Sequence, residues 1–135
     1  MVLDASVVLK WFRDEGERHV AAARVLRDAY ARGDLLVLAP RLLALEILNV
    51  AGRRWGWDAH RLVGLAVSIA EIGFEIREPD LESVARWTGG GLTAYDACYV
   101  ALAESEAISL VTDDELILAT APDITIALGA AAEGN

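Results

Sequence analysis

Met1-Val-Leu-Asp-Ala-Ser-Val-Val-Leu9 sets one carboxylate inside a stretch that otherwise belongs in a core. Val2–Asp4 reads as a short strand ending in an acid, and Ser6–Phe12 as the apolar helix behind it. The same alternation continues down the chain. Helix Glu17–Ala31 is amphipathic and stops at Gly33. Strand Leu35–Ala39 closes at Pro40, which also starts a helix through about Trp55. Asp58 caps a helix ended by Gly73, Phe74–Arg77 is a third strand, and Asp80 caps Leu81–Trp87. After Gly89-Gly-Gly91 come helix Thr93–Glu106, strand Ile108–Val111, helix Asp114–Thr120 and strand Ile124–Leu128. The residues beyond are expected to fray. Strands alternating with helices predict an α/β fold in three layers, a parallel sheet of about five strands covered on both faces.

Asp4 is not alone in its position. Glu46 lies in Leu42-Leu-Ala-Leu-Glu-Ile-Leu-Asn49, Asp96 in Thr93-Ala-Tyr-Asp-Ala-Cys98, and Asp113 and Asp114 end Ile108-Ser-Leu-Val-Thr112. Asp and Glu are almost never buried unless they are paired or hold a metal. No Lys or Arg stands within three residues of Asp4, Glu46 or Asp96. Capping is the plain structural alternative for three positions. Asp4, Asp96 (as the third residue of a Thr93 capping box) and Asp113 or Asp114 all fall at predicted helix starts. Glu46 resists it, lying well inside its helix and sharing a face only with Asn49.

Together the acids suggest a hard-cation site. Carboxylate oxygens suit Mg²⁺ or Mn²⁺ rather than Zn²⁺, and His19, His60 and Cys98 stand outside every cluster. Two acids follow strand ends, the edge at which open α/β sheets place their ligand crevice. A carboxylate-held metal pair is a common device for in-line attack at phosphorus.

Composition bounds the alternatives. The 135 residues suit one domain, 1–135, and the 55% hydrophobic content argues against disorder. No apolar run reaches the roughly 18 residues of a membrane span. Without a basic leader at the start, and with the lone Cys98 unable to form an internal disulfide, a cytoplasmic protein is expected. The net charge is −9, and every basic residue lies between Lys10 and Arg86. The C-terminal third therefore needs cationic partners. Trp11, Trp55, Trp57 and Trp87 are expected in core or interface positions more often than as base-stacking platforms.

Four segments in order, LDASVVLKWF (3–12), APRLLALEILNV (39–50), GLTAYDACYVALAE (91–104) and LVTDDELI (110–117), resemble the PIN-domain ribonucleases, specifically the VapC-type toxins of toxin–antitoxin pairs. The resemblance implies a Mg²⁺- or Mn²⁺-dependent endoribonuclease. It places the family's acids on Asp4, Glu46 and Asp96, and the fourth on Asp114, with Asp113 as the alternative. Asp4, Asp96 and Asp114 would ligate metal, and Glu46 would hold a metal-bound water or a second ion. Ser6, Asn49 and Thr112 match supporting positions. The resemblance also implies an RNA substrate, a cognate antitoxin and a homodimer. Lys10, Arg13, Arg41, Arg53 and Arg54 are the candidate phosphate contacts. The absence of basic residues after Arg86 departs from what an RNA cleft wants on that side. Two readings compete. A receiver-like domain needs a Lys near a late strand, and the only Lys is Lys10. A PIN-like binding module without catalysis would not be expected to keep all four acids.

Overall fold

The computed structural model describes residues 1–134. Five short parallel strands form one sheet: β1 (Val2–Leu3), β2 (Leu38–Ala39), β3 (Glu75–Ile76), β4 (Leu110–Thr112) and β5 (Thr125–Ala127), in the order β3-β2-β1-β4-β5. Eight helices connect and cover them: α1 (Ala5–Phe12), α2 (Val20–Ala31), α3 (Leu42–Arg53), α4 (Ala59–Ile72), α5 (Leu81–Gly89), α6 (Ala94–Ser105), α7 (Glu115–Thr120) and α8 (Leu128–Glu133). This is the expected α/β architecture.

Register follows burial. The central strands β1 and β4 pair Val2 with Leu110 and Leu3 with Val111, all four fully buried. Each such side chain contributes about 1.5–3 kcal/mol of transfer free energy. At the edge, β3 exposes both Glu75 and Ile76. Helix α6 is apolar nearly all round and is accordingly buried from Tyr99 to Ala103, against β1 and β4. That placement brings Asp96, in its first turn, to the C-terminal edge of the two central strands.

The predicted elements are present with shifted ends. Strands are shorter than expected, since pairing lasts only as long as two neighbours run together. α2 starts at Val20 rather than Glu17, because His19 takes a left-handed backbone conformation (φ 66°) that a helix cannot include. Residues 13–19 are thereby a connection rather than a helical turn. The expected fraying after residue 128 is corrected: α8 spans Leu128–Glu133, buries Leu128 and Ala131, and packs against α2. Among the described residues no helix is long and apolar enough to cross a membrane.

Candidate active site

Four chain-distant carboxylates line one cleft. Asp4 follows β1, Glu46 projects from the middle of α3, Asp96 from the first turn of α6, and Asp114 from the turn after β4. All four face a cavity of about 430 Å³, together with Ser6, Lys10, Arg13, Glu15, Arg54, Trp55 and Tyr99 among others. The strands run parallel and end at the same edge, so residues separated by over a hundred positions converge there.

Asp4 sits at the N-cap of α1, yet its side chain makes no capping bond. One oxygen accepts from Ser6 Oγ at 2.6 Å and the other from Thr112 Oγ1. Each hydroxyl is held in turn by a backbone N–H: Asp113 donates to Ser6 Oγ and Asp114 to Thr112 Oγ1, both at 3.0 Å. A hydroxyl that accepts from the loop must turn its own proton toward Asp4. Ser6 and Thr112 thus splice the end of β4 to Asp4. Asp4 is 4% exposed, and burial pushes its carboxyl up to about 6. The two hydroxyls and the nearby Val7 amide oppose that rise, and the charge of Asp96 adds to it.

Glu46 accepts from the hydroxyl of Tyr99 at 3.0 Å. Burial raises its carboxyl, the Tyr99 bond opposes this, and Asp96 and Asp4 raise it further. Asp96 is raised by burial and then by the charge of Asp114, with Thr93 opposing. Thr93 Oγ1 accepts from the Asp96 N–H at 3.1 Å, but the reciprocal bond of a capping box is absent, leaving the Asp96 carboxylate to the cleft. Asp114 combines both readings of its position. One oxygen caps α7, accepting from Leu116 and Ile117 at 2.9 and 3.1 Å, while the other has no hydrogen bond among the described residues.

None of these four acids has an ion-pair partner within 4.0 Å among the described residues. Asp113 differs. Lys10 Nζ lies 3.4 Å from it, Arg18 Nε 3.8 Å and His19 Nδ1 2.7 Å, and it does not line the cleft. Of the two neighbouring acids, Asp114 faces the cleft and Asp113 is neutralised behind it. His19 touches Asp113 and, like it, does not line the cleft. His60 and Cys98 also stay out of the cleft.

Other candidates divide. Asn49 is exposed and makes no hydrogen bond with Glu46, so the pairing expected on α3 does not form. Lys10 is buried and already held by Asp113 and Glu17, which spends its charge inside the protein. Arg13 and Arg54 line the cleft, whereas Arg53 does not and Arg41 borders a separate apolar groove. Tyr99 is the site residue that sequence reasoning misses. Its signal is the spacing: three residues beyond Asp96 on one helix, it shares that acid's face.

A family model described as the PIN domain matches residues 1–121. The chain belongs to the PIN domain family. The crystal structure of PAE2754 from Pyrobaculum aerophilum is similar to this PIN domain, with a TM-score of 0.69 and 25% identity over 98% of this chain and 93% of that one. No curated protein matches. PIN domains are generally nucleases, and divalent metals typically serve them. The donor set here suits such an ion in its chemistry: oxygen ligands only, three of the four acids raised by burial and then by one another's charge, and no ion-pair partner within 4.0 Å of any of the four among the described residues. In the present side-chain positions, no three His, Cys, Asp or Glu groups among the described residues are drawn together closely enough to enclose one.

Proposed function

We propose that this PIN domain is a Mg²⁺- or Mn²⁺-dependent endoribonuclease and the toxin of a type II toxin–antitoxin pair, acting in the cytoplasm as one domain over residues 1–135. The observation that carries the reading is the set of four carboxylates from four separate segments, lining one cleft with no ion-pair partner within 4.0 Å among the described residues. Structural carboxylates inside an apolar stretch would be expected to find Arg or Lys, as Asp113 does.

Asp4, Asp96 and Asp114 would hold the ion, directly or through water. A bound divalent cation supplies Lewis-acid charge at the scissile phosphate and makes an attacking water more acidic. Ser6 and Thr112 fix the Asp4 carboxylate with both oxygens committed in known directions. Glu46, held by Tyr99, orients the water or accepts its proton. Arg13 and Arg54 meet the RNA backbone on the basic side of the cleft. Leu45, Val63, Val67 and Ile76, exposed on α3, α4 and β3, offer apolar surface for the proposed antitoxin or for dimerisation.

The test is cleavage of a structured RNA pool by purified protein with Mg²⁺, with Mn²⁺ and with chelator. Metal-dependent products that disappear in Asp4→Asn support the reading. Metal-independent cleavage refutes the metal assignment, and no cleavage by a folded, metal-loaded protein supports a binding module instead.

A further inference from the structure

The mouth of the cleft carries a constellation that the carboxylate chemistry does not use. Trp55 and Trp57 stand with ring centroids 5.2 Å apart, tilted by 50°. The Arg13 guanidinium lies 5.3 Å from the Trp55 centroid, and that of Arg61 lies 3.8 Å from Trp57. Trp55, Arg13 and Arg54 line the same cavity as the four acids. Glu15, in the connection between α1 and α2, reaches across this group. One of its oxygens pairs with Arg54, and the other accepts from the Trp55 indole N–H at 2.8 Å. A carboxylate of the chain itself therefore sits where an arginine, an indole donor and an aromatic face converge.

That combination is what an unpaired nucleotide requires. An aromatic face that accepts a guanidinium also accepts a base, and an Arg fork takes a phosphate bidentately. The Glu15–Arg54 pair is open to solvent on the arginine side. Arg54 is 61% exposed, and exposed pairs of this kind contribute little and are screened by salt. Gly16, next to Glu15, has a left-handed backbone (φ 77°), and its N–H donates to Asp14 Oδ1 at 2.8 Å, so the turn that presents Glu15 is held from within the 13–19 connection.

We infer that Trp55, Arg13 and Arg54 form a subsite for an unpaired RNA nucleotide at the mouth of the acidic cleft, and that Glu15 fills it until RNA displaces it. The inference rests on the endoribonuclease reading and adds to it where an unpaired nucleotide is held and which side chain of the chain itself occupies that place in the free protein. A base in a duplex keeps its faces against its neighbours and cannot reach Trp55.

Binding of a fluorescein-labelled oligouridine, and of an RNA duplex of equal length, is measured by anisotropy with chelator present, so that nothing is cut. The wild-type protein is expected to prefer the single strand. Trp55→Leu and Arg13→Gln should each weaken binding roughly tenfold, the loss of one stacking or phosphate contact. Glu15→Gln should tighten it severalfold. Equal affinity for duplex, or wild-type affinity in all three variants, overturns the subsite. If Trp55→Leu unfolds, the two variants on the exposed 13–19 connection decide alone. Cleavage by the wild-type protein with unchanged binding in the variants removes only this inference. Oligouridine binding that responds to the variants in a protein that cuts no RNA keeps the subsite and removes the endoribonuclease reading. Absence of any RNA binding removes both.

Discussion

The hydroxyl of Tyr99 is the one hydrogen-bond partner of Glu46 among the described residues, so replacing Glu46 by Gln strands no charge. A buried Glu–Arg pair broken this way would cost several kcal/mol. Here Gln still accepts from Tyr99 and removes one charge from a crowded site. Glu46→Gln is therefore expected to melt at or above the wild-type temperature without metal, while cleavage falls at least about 100-fold, as when a positioned catalytic group is lost. Large destabilisation with intact specific activity would refute the catalytic assignment. Asp4→Asn poses a sharper question, since both Asp4 oxygens accept from hydroxyls. One amide NH₂ now faces a hydroxyl that must turn to accept, which the second lone pair permits. The fold should survive, and both cleavage and Mn²⁺ binding, read by calorimetry, should be lost. Asp96→Asn should behave alike. Wild-type cleavage in either variant would return these acids to a structural role.

The turn from β4 into α7 holds a choice that local sequence does not make. Thr112-Asp-Asp-Glu115 presents two adjacent acids, of which the resemblance favours Asp114 with Asp113 as the alternative, and one residue of rotation decides which enters the cleft. Lys10 and His19, distant in sequence, claim Asp113, and nothing around residue 113 announces them. The alternation of strands and helices was legible because it is local, as were the caps at Thr93, Asp80 and Asp58. The buried acids were legible because a charge inside an apolar run is costly anywhere. Strand ends, the left-handed His19 and the Tyr99–Glu46 bond depend on tertiary neighbours and were not. The turn makes its own prediction. Asp114→Asn should leave α7 intact, since Asn caps about as well as Asp, and should abolish cleavage. Asp113→Asn leaves the buried Lys10 with only Glu17, 3.8 Å away, and should cost roughly 2–3 kcal/mol of stability while cleavage per folded molecule persists. Denaturant melts and cleavage rates on the two variants give opposite patterns. Matching losses of activity would show that both acids serve the site.

At the scale of the molecule, the raised cleft acids favour the metal-free fold as the pH falls from neutral toward 5. Asp4 has its carboxyl raised by burial from an ordinary 3.8 to about 6 in the folded chain, and Glu46 and Asp96 are raised in the same sense. Between those two values the native state holds a proton that the unfolded chain has released. Stability therefore falls as pH rises through the window from about 4 to 6. For Asp4 alone, a rise of that size corresponds to about 3 kcal/mol at most. Without metal, thermal melts should accordingly show stability rising as pH drops from 7 toward 5, and Asp4→Asn should flatten that rise because its amide does not titrate. A divalent cation reverses the balance by favouring the ionised acids. Millimolar Mg²⁺ or Mn²⁺ well above its Kd should add on the order of 1–3 kcal/mol at pH 7 and progressively less toward pH 5, where protons compete for the same oxygens. A metal response of equal size at both pH values, or one retained in Asp4→Asn, would place the ion somewhere other than this cleft.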